Sequence, residues 1–425
     1  MPPGDTIVAL SSGQPPAAIA VIRTSGPQTD AAAEALAGCL PPIRRASLRT
    51  LRDPRTGIEL DSALLLRFDA QHSATGENVV EYQCHGGRAV VAAILDALTS
   101  QGLRPAEPGE FTRRALANGR ISLTEAEGLA DLLEAETESQ RRSALALMGG
   151  ALVRQVDAWQ SRILALSARA EAAIDYVGDE DETATDTHAL REDALALAAE
   201  LDQWLSRPRA ERLKEGIRVV VAGPVNSGKS SLIYSLAGSD RAIVTDIPGT
   251  TRDAIEVPLA IDGIPLLLVD TAGLRDTEDA VEAIGVERAR AETRRAEILL
   301  GLGEPADVPS DASSIIVHSK SDLGQVDHAI ALNVSALTGE GISELLAHLA
   351  SKARALLPLD GEVALNRRQY EAIAETFSLL RSLPTDLLLI AETLRAVRSV
   401  FDRLTGRAGV EEAIDVLFSR FCLGK

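Results

Sequence analysis

The chain is poor in several things that mark protein classes. It has three cysteines in 425 residues, Cys39, Cys84 and Cys422. They lie far apart, in no metal-ligand spacing and no disulfide ladder, so a reducing compartment, the cytoplasm, is expected. No apolar run approaches the ~18 residues of a membrane span. The opening MPPGDTIVAL lacks a basic region followed by a long apolar stretch, so no secretory signal is expected. No internal repeats are visible. Lysine is scarce: Lys214, Lys229, Lys320, Lys352 and Lys425 are the whole set, and arginine supplies nearly all positive charge. Cations are outnumbered, 43 Lys and Arg against 62 Asp and Glu, for a net charge of −19. A nucleic acid could not be held by overall charge; it would need a local basic patch or a basic partner protein.

What is present points to a globular, multidomain chain. Apolar residues make up 45% of it, and at roughly 100–200 residues per domain the length suggests two to four domains. Residues 1–118 mix short apolar runs with turn signals. TIVAL, AAIAVIR and SALLLRF read as strands and GRAVVAAILDALTSQG as an amphipathic helix, an α+β domain. From Ser122 the texture is that of long helices, opened by a capping box of Ser122 and Glu125. After the acidic break GDEDET a further helix is expected to run to about Leu213. IRVVVAG then begins an α/β segment, 213–355, and helical texture resumes at Asn366. The simplest architecture is an α/β domain inserted into one helical domain, whose parts are 119–212 and 356–425.

The strongest local signal is VVVAGPVNSGKSSL, a strand running through Gly223-x-x-x-x-Gly228-Lys229-Ser230 into a helix. Glycines there let backbone N–H groups converge on phosphate oxygens at a helix N-terminus. Asn226, Ser227, Gly228, Lys229, Ser230 and Ser231 would line the phosphates, with Lys229 on the outer ones and the Ser230 hydroxyl on magnesium. DIPGTTRD adds a switch, Asp246, Ile247, Pro248, Gly249, Thr250 and Thr251, in which one threonine hydroxyl could complete the magnesium shell. LLLVDTAG ends a buried strand at Asp270, Thr271, Ala272 and Gly273; Asp270 can hold magnesium through water and the Gly273 N–H can sense the γ-phosphate. HSKSD places Lys320 and Asp322 at another strand end, where Asp322 could accept two hydrogen bonds from a guanine edge, and SALTGEG supplies Ser335 and Ala336. This is the order of motifs of a translation-factor-like GTPase.

Three features depart from that pattern. Ser319 stands where the base-reading motif usually begins with Asn, so a loop-fastening amide is expected to be lost. GLGEPADVPSDASS leaves little room for a crossover helix, so one helix of the GTPase fold is expected to be missing or vestigial. Leu274 follows Asp-Thr-Ala-Gly where a Gln would orient the attacking water, so hydrolysis needs another route. Asn226, with backbone carbonyls of the 245–250 loop, could cage a monovalent cation placed like an arginine finger. Glu282 reads either as a solvated helix residue or as a group that reaches a water through a movable switch.

Taken together, these motifs, the insertion within helices, PGEFTRRALANGRISLTEAEGLADLL and the terminal FCLGK resemble the MnmE (TrmE) family of tRNA-modification GTPases over nearly the whole chain. The resemblance implies a homodimer and a heterocomplex with the FAD-dependent partner MnmG. Together they would install a carboxymethylaminomethyl or aminomethyl group on C5 of the wobble uridine of tRNA, from a tetrahydrofolate one-carbon unit. It implies an N-terminal domain like folate-binding modules, and a GTPase that potassium stimulates when its α/β domains associate. On the same ground Asn226, Thr245, Ile247 and Thr250 match potassium-site positions, Ser230 and Thr251 magnesium ligands, and Glu282 the catalytic glutamate. Arg23, Glu81, Arg120 and Lys425 match folate contacts, with Arg120 where many members carry Lys, and Ala74 stands where an aromatic is common. Those charges suit a folate, whose glutamate tail is anionic and whose pterin has amide-like donors.

Cys422 has two readings, a small buried hydrophobe or a reactive group; the resemblance favours the second, as nucleophile or acid/base. Val410, Ala413, Ile414, Leu417, Phe418 and Phe421 recur at helical steps before it, so a buried face should hold the terminus, with Gly424 ending the helix. The basic pairs Arg113-Arg114 and Arg367-Arg368 read as tRNA contacts or as ordinary ion pairs. Two other functions fit part of the pattern: a GTP-dependent switch or assembly factor without modification chemistry of its own, and a folate enzyme with a decayed GTPase domain. The PGEFTRRA block and Cys422 speak against the first, and intact Lys229, Ser230, Asp270 and Glu282 against the second.

Overall fold

The computed structural model describes residues 4–175, 180–224, 226–239, 242–244, 255–270, 292–302, 314–324, 331–359, 362–408, 411–419, 421 and 424. The chain begins with β1 (Ile7–Leu10), β2 (Ala17–Ser25), α1 (Thr29–Ala37), β3 (Ser47–Arg52), β4 (Glu59–Phe68), β5 (Val79–Gly86), α2 (Arg88–Thr99), β6 (Arg104–Pro105) and α3 (Glu110–Ala117). Helices α4 (Leu123–Glu134), α5 (Glu138–Met148), α6 (Ala151–Asp175), α7 (Glu180–Leu205) and the short α8 (Glu211–Lys214) follow. Next come β7 (Ile217–Ala222), α9 (Lys229–Ala237), β8 (Ala242–Val244), β9 (Ile255–Ile261), β10 (Ile264–Asp270), β11 (Ile298–Leu302), β12 (Ser314–Ser319), β13 (Ala331–Val334) and α10 (Ile342–Leu356). The chain closes with α11 (Arg367–Arg381), α12 (Leu387–Thr405) and α13 (Glu411–Ser419). Contacts divide it into two units, Met1–Ala130 with Phe401–Lys425, and Asp131–Val400. Among the described residues, no helix is long and apolar enough to cross a membrane.

In the first unit the sheet order is β3-β4-β5-β2-β1-β6, antiparallel except for the β1–β6 pair. Alternation along the strands sorts residues between two faces. Val8, Ala20, Ile22, Leu51, Ala63, Leu65 and Tyr82 face the helices and pack on Ala32, Ala33 and Leu36 of α1 and Val91, Ile94 and Leu98 of α2. On the other face Ile7 and Ala9 meet Ala106 and Phe111 of α3. Further across that face Ile19 and Leu48 stay 61% and 66% exposed.

Helix α4 starts at the expected capping box: Glu125 N–H donates to Ser122 Oγ at 3.2 Å and Ser122 N–H to Glu125 Oε2 at 2.7 Å. Its Leu123, Ala126 and Ala130 pack on Leu417, Phe418 and Phe421, so the terminal apolar face is buried as its spacing demanded. Gly424 does something other than end that helix, which already stops at Ser419. At φ 89° it lies so near the end of β1 that a Cβ would come within 2.2 Å of the Leu10 carbonyl oxygen. Its own carbonyl accepts a 2.9 Å hydrogen bond from Ser11 Oγ. A side chain is excluded by close approach, and the left-handed backbone is what glycine permits.

In the second unit α6 buries Leu152, Val156, Trp159, Ile163, Leu166 and Ala170 in an alternating three–four spacing. Trp159 meets Trp204 of α7 edge-on at 5.4 Å. The further helix expected to reach Leu213 ends at Leu205 instead, because Pro208 cannot continue the ladder; α8 is a separate turn. α11 starts at Asn366, whose side chain accepts from Gln369 N–H. The α/β part is a seven-stranded sheet, β13-β12-β11-β7-β10-β9-β8, parallel from β13 to β10 and antiparallel beyond. α9 and α10 pack on it through Leu232, Ile233, Leu236, Leu345, Leu346 and Leu349. The crossover from β11 to β12, where a helix was expected to be missing, lies outside the described residues.

Candidate functional site

The parallel strands β7, β10 and β12 end on one side of the sheet, where a doubly wound fold places ligands. β7 runs into Gly223, which passes so near β11 that a Cβ would sit 2.2 Å from the Leu302 carbonyl oxygen. Gly228, at φ 87°, caps α9. Between them Asn226 is exposed and held at φ 61°, a left-handed backbone that Asn tolerates. Lys229 is buried, and its ammonium donates to the carbonyls of Gly223 at 3.0 Å and Pro224 at 2.7 Å. Ser230 Oγ donates to Asp270 Oδ2 at 2.6 Å. The two oxygens named for magnesium chemistry are thus side by side, both hard donors of the kind that ion takes.

The base-side loops converge on the same place. Asp322 Oδ1 accepts from Ser335 Oγ at 2.6 Å, which ties the two loops named for guanine. Gly228, Ser231, Lys320, Asp322 and Ala336 border one cavity of about 280 Å³. Ser319 corrects an expectation. The fastening assigned to an Asn side chain is not lost here, since Ser319 Oγ donates to the Ser227 carbonyl at 2.6 Å. Lys320 adds a second tie, from Nζ to the Asn226 carbonyl at 2.7 Å. The sequence reading missed Leu323 and Leu337, which border the cavity while 81% and 85% exposed. Two solvent-facing leucines beside Asp322 would suit a flat aromatic base, and only their exposure reveals them. Thr245, Asp246, Ile247, Pro248, Gly249, Thr250, Thr251, Thr271, Ala272, Gly273 and Glu282 lie outside the described residues.

In the N-terminal sheet, Arg23 on β2 stands opposite Glu81 on β5, and their side chains pair, Nη2 to Oε1 at 2.7 Å. The Arg23 guanidinium lies 5.7 Å from the centre of the Phe111 ring. Arg120 donates from Nη2 to the Gln71 carbonyl at 2.9 Å and covers Gly76. Cys422 and Lys425 fall outside the described residues, but Phe421 and Gly424 on either side of position 422 are placed. Gly424 meets Leu10 and Ser11, and Leu10 pairs with Ile22, the neighbour of Arg23. Of the other cysteines, Cys39 is exposed, while burial, with the nearby Asp61 carboxylate, pushes the Cys84 thiol up to about 11 and keeps it unreactive.

An ionic cluster built around two buried side chains of PGEFTRRA, Glu110 and Arg114, is visible only in the structure. Arg114, 5% exposed, contacts Asp5 Oδ1 at 2.7 Å, Glu110 Oε1 at 3.0 Å and Glu77 Oε2 at 3.1 Å. Arg104 contacts Asp5 Oδ2 at 2.7 Å and Glu110 Oε1 at 2.6 Å. Burial alone would raise the Glu110 and Asp5 carboxyls, but their arginine hydrogen bonds outweigh it and hold both below the usual carboxylate range. Arg113, by contrast, forms an exposed pair with Asp415 at 2.9 Å, and Arg367 one with Glu371 at 2.8 Å.

Fold and site together define a P-loop GTPase domain carried within a helical chain, joined to an N-terminal α+β domain. Family comparison gives this class a name. The pattern described as GTP-binding protein TrmE N-terminus matches residues 6–120, and that of the MnmE helical domain matches residues 123–422. A tRNA modification GTPase MnmE from Erythrobacter litoralis is 52% identical over 99% of this chain and 100% of its own. One from Zymomonas mobilis is 50% identical over 99% of this chain and 100% of its own. Among solved structures, the G domain of the T. maritima FeoB iron transporter aligns with 33% of this chain and 98% of its own, at 22% identity and a TM-score of 0.24. The chain belongs to the MnmE family of tRNA modification GTPases.

Proposed function

We propose that this GTPase is stimulated by potassium and acts in the cytoplasm with the FAD-dependent protein MnmG. The pair would install a carboxymethylaminomethyl or aminomethyl group on C5 of the tRNA wobble uridine, from a tetrahydrofolate one-carbon unit. On this reading residues 1–118 serve folate and the dimer contact, 119–212 and 356–425 the helical frame, and 213–355 the GTPase. The observation that carries it is the docking of the chain terminus on the N-terminal sheet, Ser11 Oγ to the Gly424 carbonyl at 2.9 Å. Gly424, two residues beyond position 422, there meets the end of β1, the strand that pairs with the Arg23-bearing β2, and this supports the reading that a thiol and a folate site share one place. The open sheet face with exposed Ile19 and Leu48 supports a homodimer.

Hydrolysis breaks the bond from the γ-phosphorus to the β,γ-bridging oxygen as water attacks, and charge spreads over the phosphoryl oxygens. The α9 N-terminus and Lys229 would neutralise that charge, and Glu282 would orient the water in place of the missing Gln. Magnesium, when bound, supplies charge at the β- and γ-phosphates, and Ser230 with Thr251 would hold it. Potassium supplies a positive charge where other GTPases use an arginine; Asn226, Thr245, Ile247 and Thr250 would hold it through oxygens. At the second site Arg23, Arg120 or Lys425 would neutralise the folate tail and Glu81 would accept from the pterin.

Wobble-uridine mass analysis tests the whole reading, in cells lacking the gene and complemented with wild type or Cys422→Ser. Wild type should restore the modified nucleoside and Cys422→Ser should not; restoration by both would remove the thiol from the chemistry. In purified protein, sodium in place of potassium should lower GTP turnover at least tenfold, about the contribution of a misplaced transition-state charge. Equal rates in the two salts would exclude the cation site.

A further inference from the structure

The first turn of α5 meets the α/β part at two points, the turn of one sheet hairpin and the helical turn before β7, both on the side opposite the P-loop. One is the turn of the β9–β10 hairpin. Asp262 and Gly263 take left-handed φ values of 49° and 77°, a tight two-residue turn. The Gly263 carbonyl accepts from Ser139 N–H of α5 at 3.1 Å. A Cβ on Gly263 would stand 3.1 Å from Glu138 Cβ, so α5 and the turn touch at the limit of close packing. The second point is α8, the helical turn that leads into β7, where Gln140 Nε2 donates to the Leu213 carbonyl at 2.8 Å. The Gln140 Oε1 atom meanwhile accepts from Thr137 and Glu136 N–H, both at 2.8 Å, and caps α5. Beside this joint Asp131 of α4 pairs with Lys214 of α8.

The strands beyond these two points carry the nucleotide residues at their other ends. β7 leads to Gly223 and Lys229. The β9–β10 hairpin is paired along its whole length, from Ile255 with Asp270 to Ile261 with Ile264. It joins the 245–254 segment to Asp270, and at ~3.3 Å per residue its turn lies ~20 Å from Asp270. A stiff hairpin that shifts at its Asp270 end must shift at Gly263. A pocket of about 450 Å³, partly open to solvent and lined by Gln140, Ala144, Ala210, Lys214, Leu259 and Leu266 among others, lies beside the joint and leaves room for that shift.

We propose that the first turn of α5 is the bearing through which nucleotide-driven movement of the β9–β10 hairpin is passed to the helical part, with Gln140 and Gly263 as positioning residues. The inference rests on the modification reading above. Gln140→Glu isolates the tie: a carboxylate still accepts from Thr137 and Glu136 N–H, so α5 stays capped, but the donor to Leu213 becomes an oxygen facing an oxygen. Gly263→Asn keeps a residue that tolerates the left-handed turn, yet drives a Cβ against Glu138.

The experiment uses full-length chain, with GTP turnover measured on purified protein and wobble-uridine modification in complemented cells. Each variant should keep GTP turnover within about twofold and lose modification at least about fivefold, the lower range of measured coupling between sites. A variant that merely unfolds lowers both in proportion and leaves their ratio unchanged. Thermal midpoints near wild type would confirm that the fold is intact. Unchanged modification, or a proportional fall in both, overturns the bearing. If wild type itself restores no modified uridine, the function reading fails instead.

Discussion

Replacing Gly424 with alanine tests whether the chain terminus is a seated part. The added Cβ would start 2.2 Å from the Leu10 carbonyl oxygen and 2.8 Å from Ser11 Cα. Ordinary C···O contacts begin near ~3.3 Å, so the terminus must retreat by ~1 Å. That retreat stretches the 2.9 Å Ser11–Gly424 hydrogen bond beyond useful range. An L-residue in the left-handed region costs ~1–2 kcal/mol, and the lost bond a further ~0.5–1.5 kcal/mol. Together ~2–3 kcal/mol would raise the undocked fraction roughly 30- to 150-fold. Phe418 and Phe421 stay packed on Leu123 and Ala126, so the thermal midpoint should hardly move. Hydrogen exchange in the C-terminal peptide should quicken by the same factor. Wobble modification should fall ~100-fold, the usual cost of a ~1 Å misplacement of a reacting group, while GTP turnover persists. Wild-type exchange at the terminus, or full modification despite undocking, would refute the argument.

Two further outcomes follow from side-chain geometry. Ser319→Ala removes the 2.6 Å bond to the Ser227 carbonyl; at ~1 kcal/mol for such a bond, guanine-nucleotide affinity should fall about fivefold, and unchanged affinity in a fluorescent-nucleotide titration would remove Ser319 from P-loop fastening. Glu110 and Asp5 have folded-state values below their ordinary 4.5 and 3.8. Their contribution is therefore complete above those ordinary values and is lost as pH falls through the depressed folded ones. The thermal midpoint should drop steeply below about pH 4.5, and Glu110→Gln should flatten that limb while costing about 3 kcal/mol at neutral pH, since it leaves Arg114 buried short of a partner; an unaltered acid limb would disprove the assignment.

The nucleotide site was legible because its chemistry is written in consecutive residues. Gly223 to Ser230, Asp270 and Asp322 each sit at the end of an apolar strand run, and strand ends in a parallel sheet meet at one edge. The α4 capping box and the apolar stripe from Ala413 to Phe421 were legible for the same reason: both are local patterns. Ser319 differs from the expectation because side-chain type alone does not give the distance to be spanned. A hydroxyl is shorter than an amide but reaches the Ser227 carbonyl once the loops are in place. The break at Pro208 is hidden in the sequence by helical texture on either side of it, although proline cannot continue the ladder.

The features that sequence could not supply are those whose partners are far along the chain. Asp5, Glu77, Arg104, Glu110 and Arg114 look like scattered surface charges until a sheet and a helix bring them together. Then each has a partner, and the burial of Arg114 and Glu110 is offset by the set. Gly424 and Gly263 are the sharper cases. A glycine near a helix end invites the reading of a cap, and Asp-Gly between strands that of a turn, and both readings stop at the local backbone. What each glycine permits is contact with a distant segment, Leu10 in one case and Glu138 in the other. The missing Cβ lets the terminus reach the N-terminal sheet and lets α5 reach the β9–β10 hairpin. In this chain the residues proposed for chemistry are named by their type, and two of the close approaches between distant segments depend on residues that have no side chain.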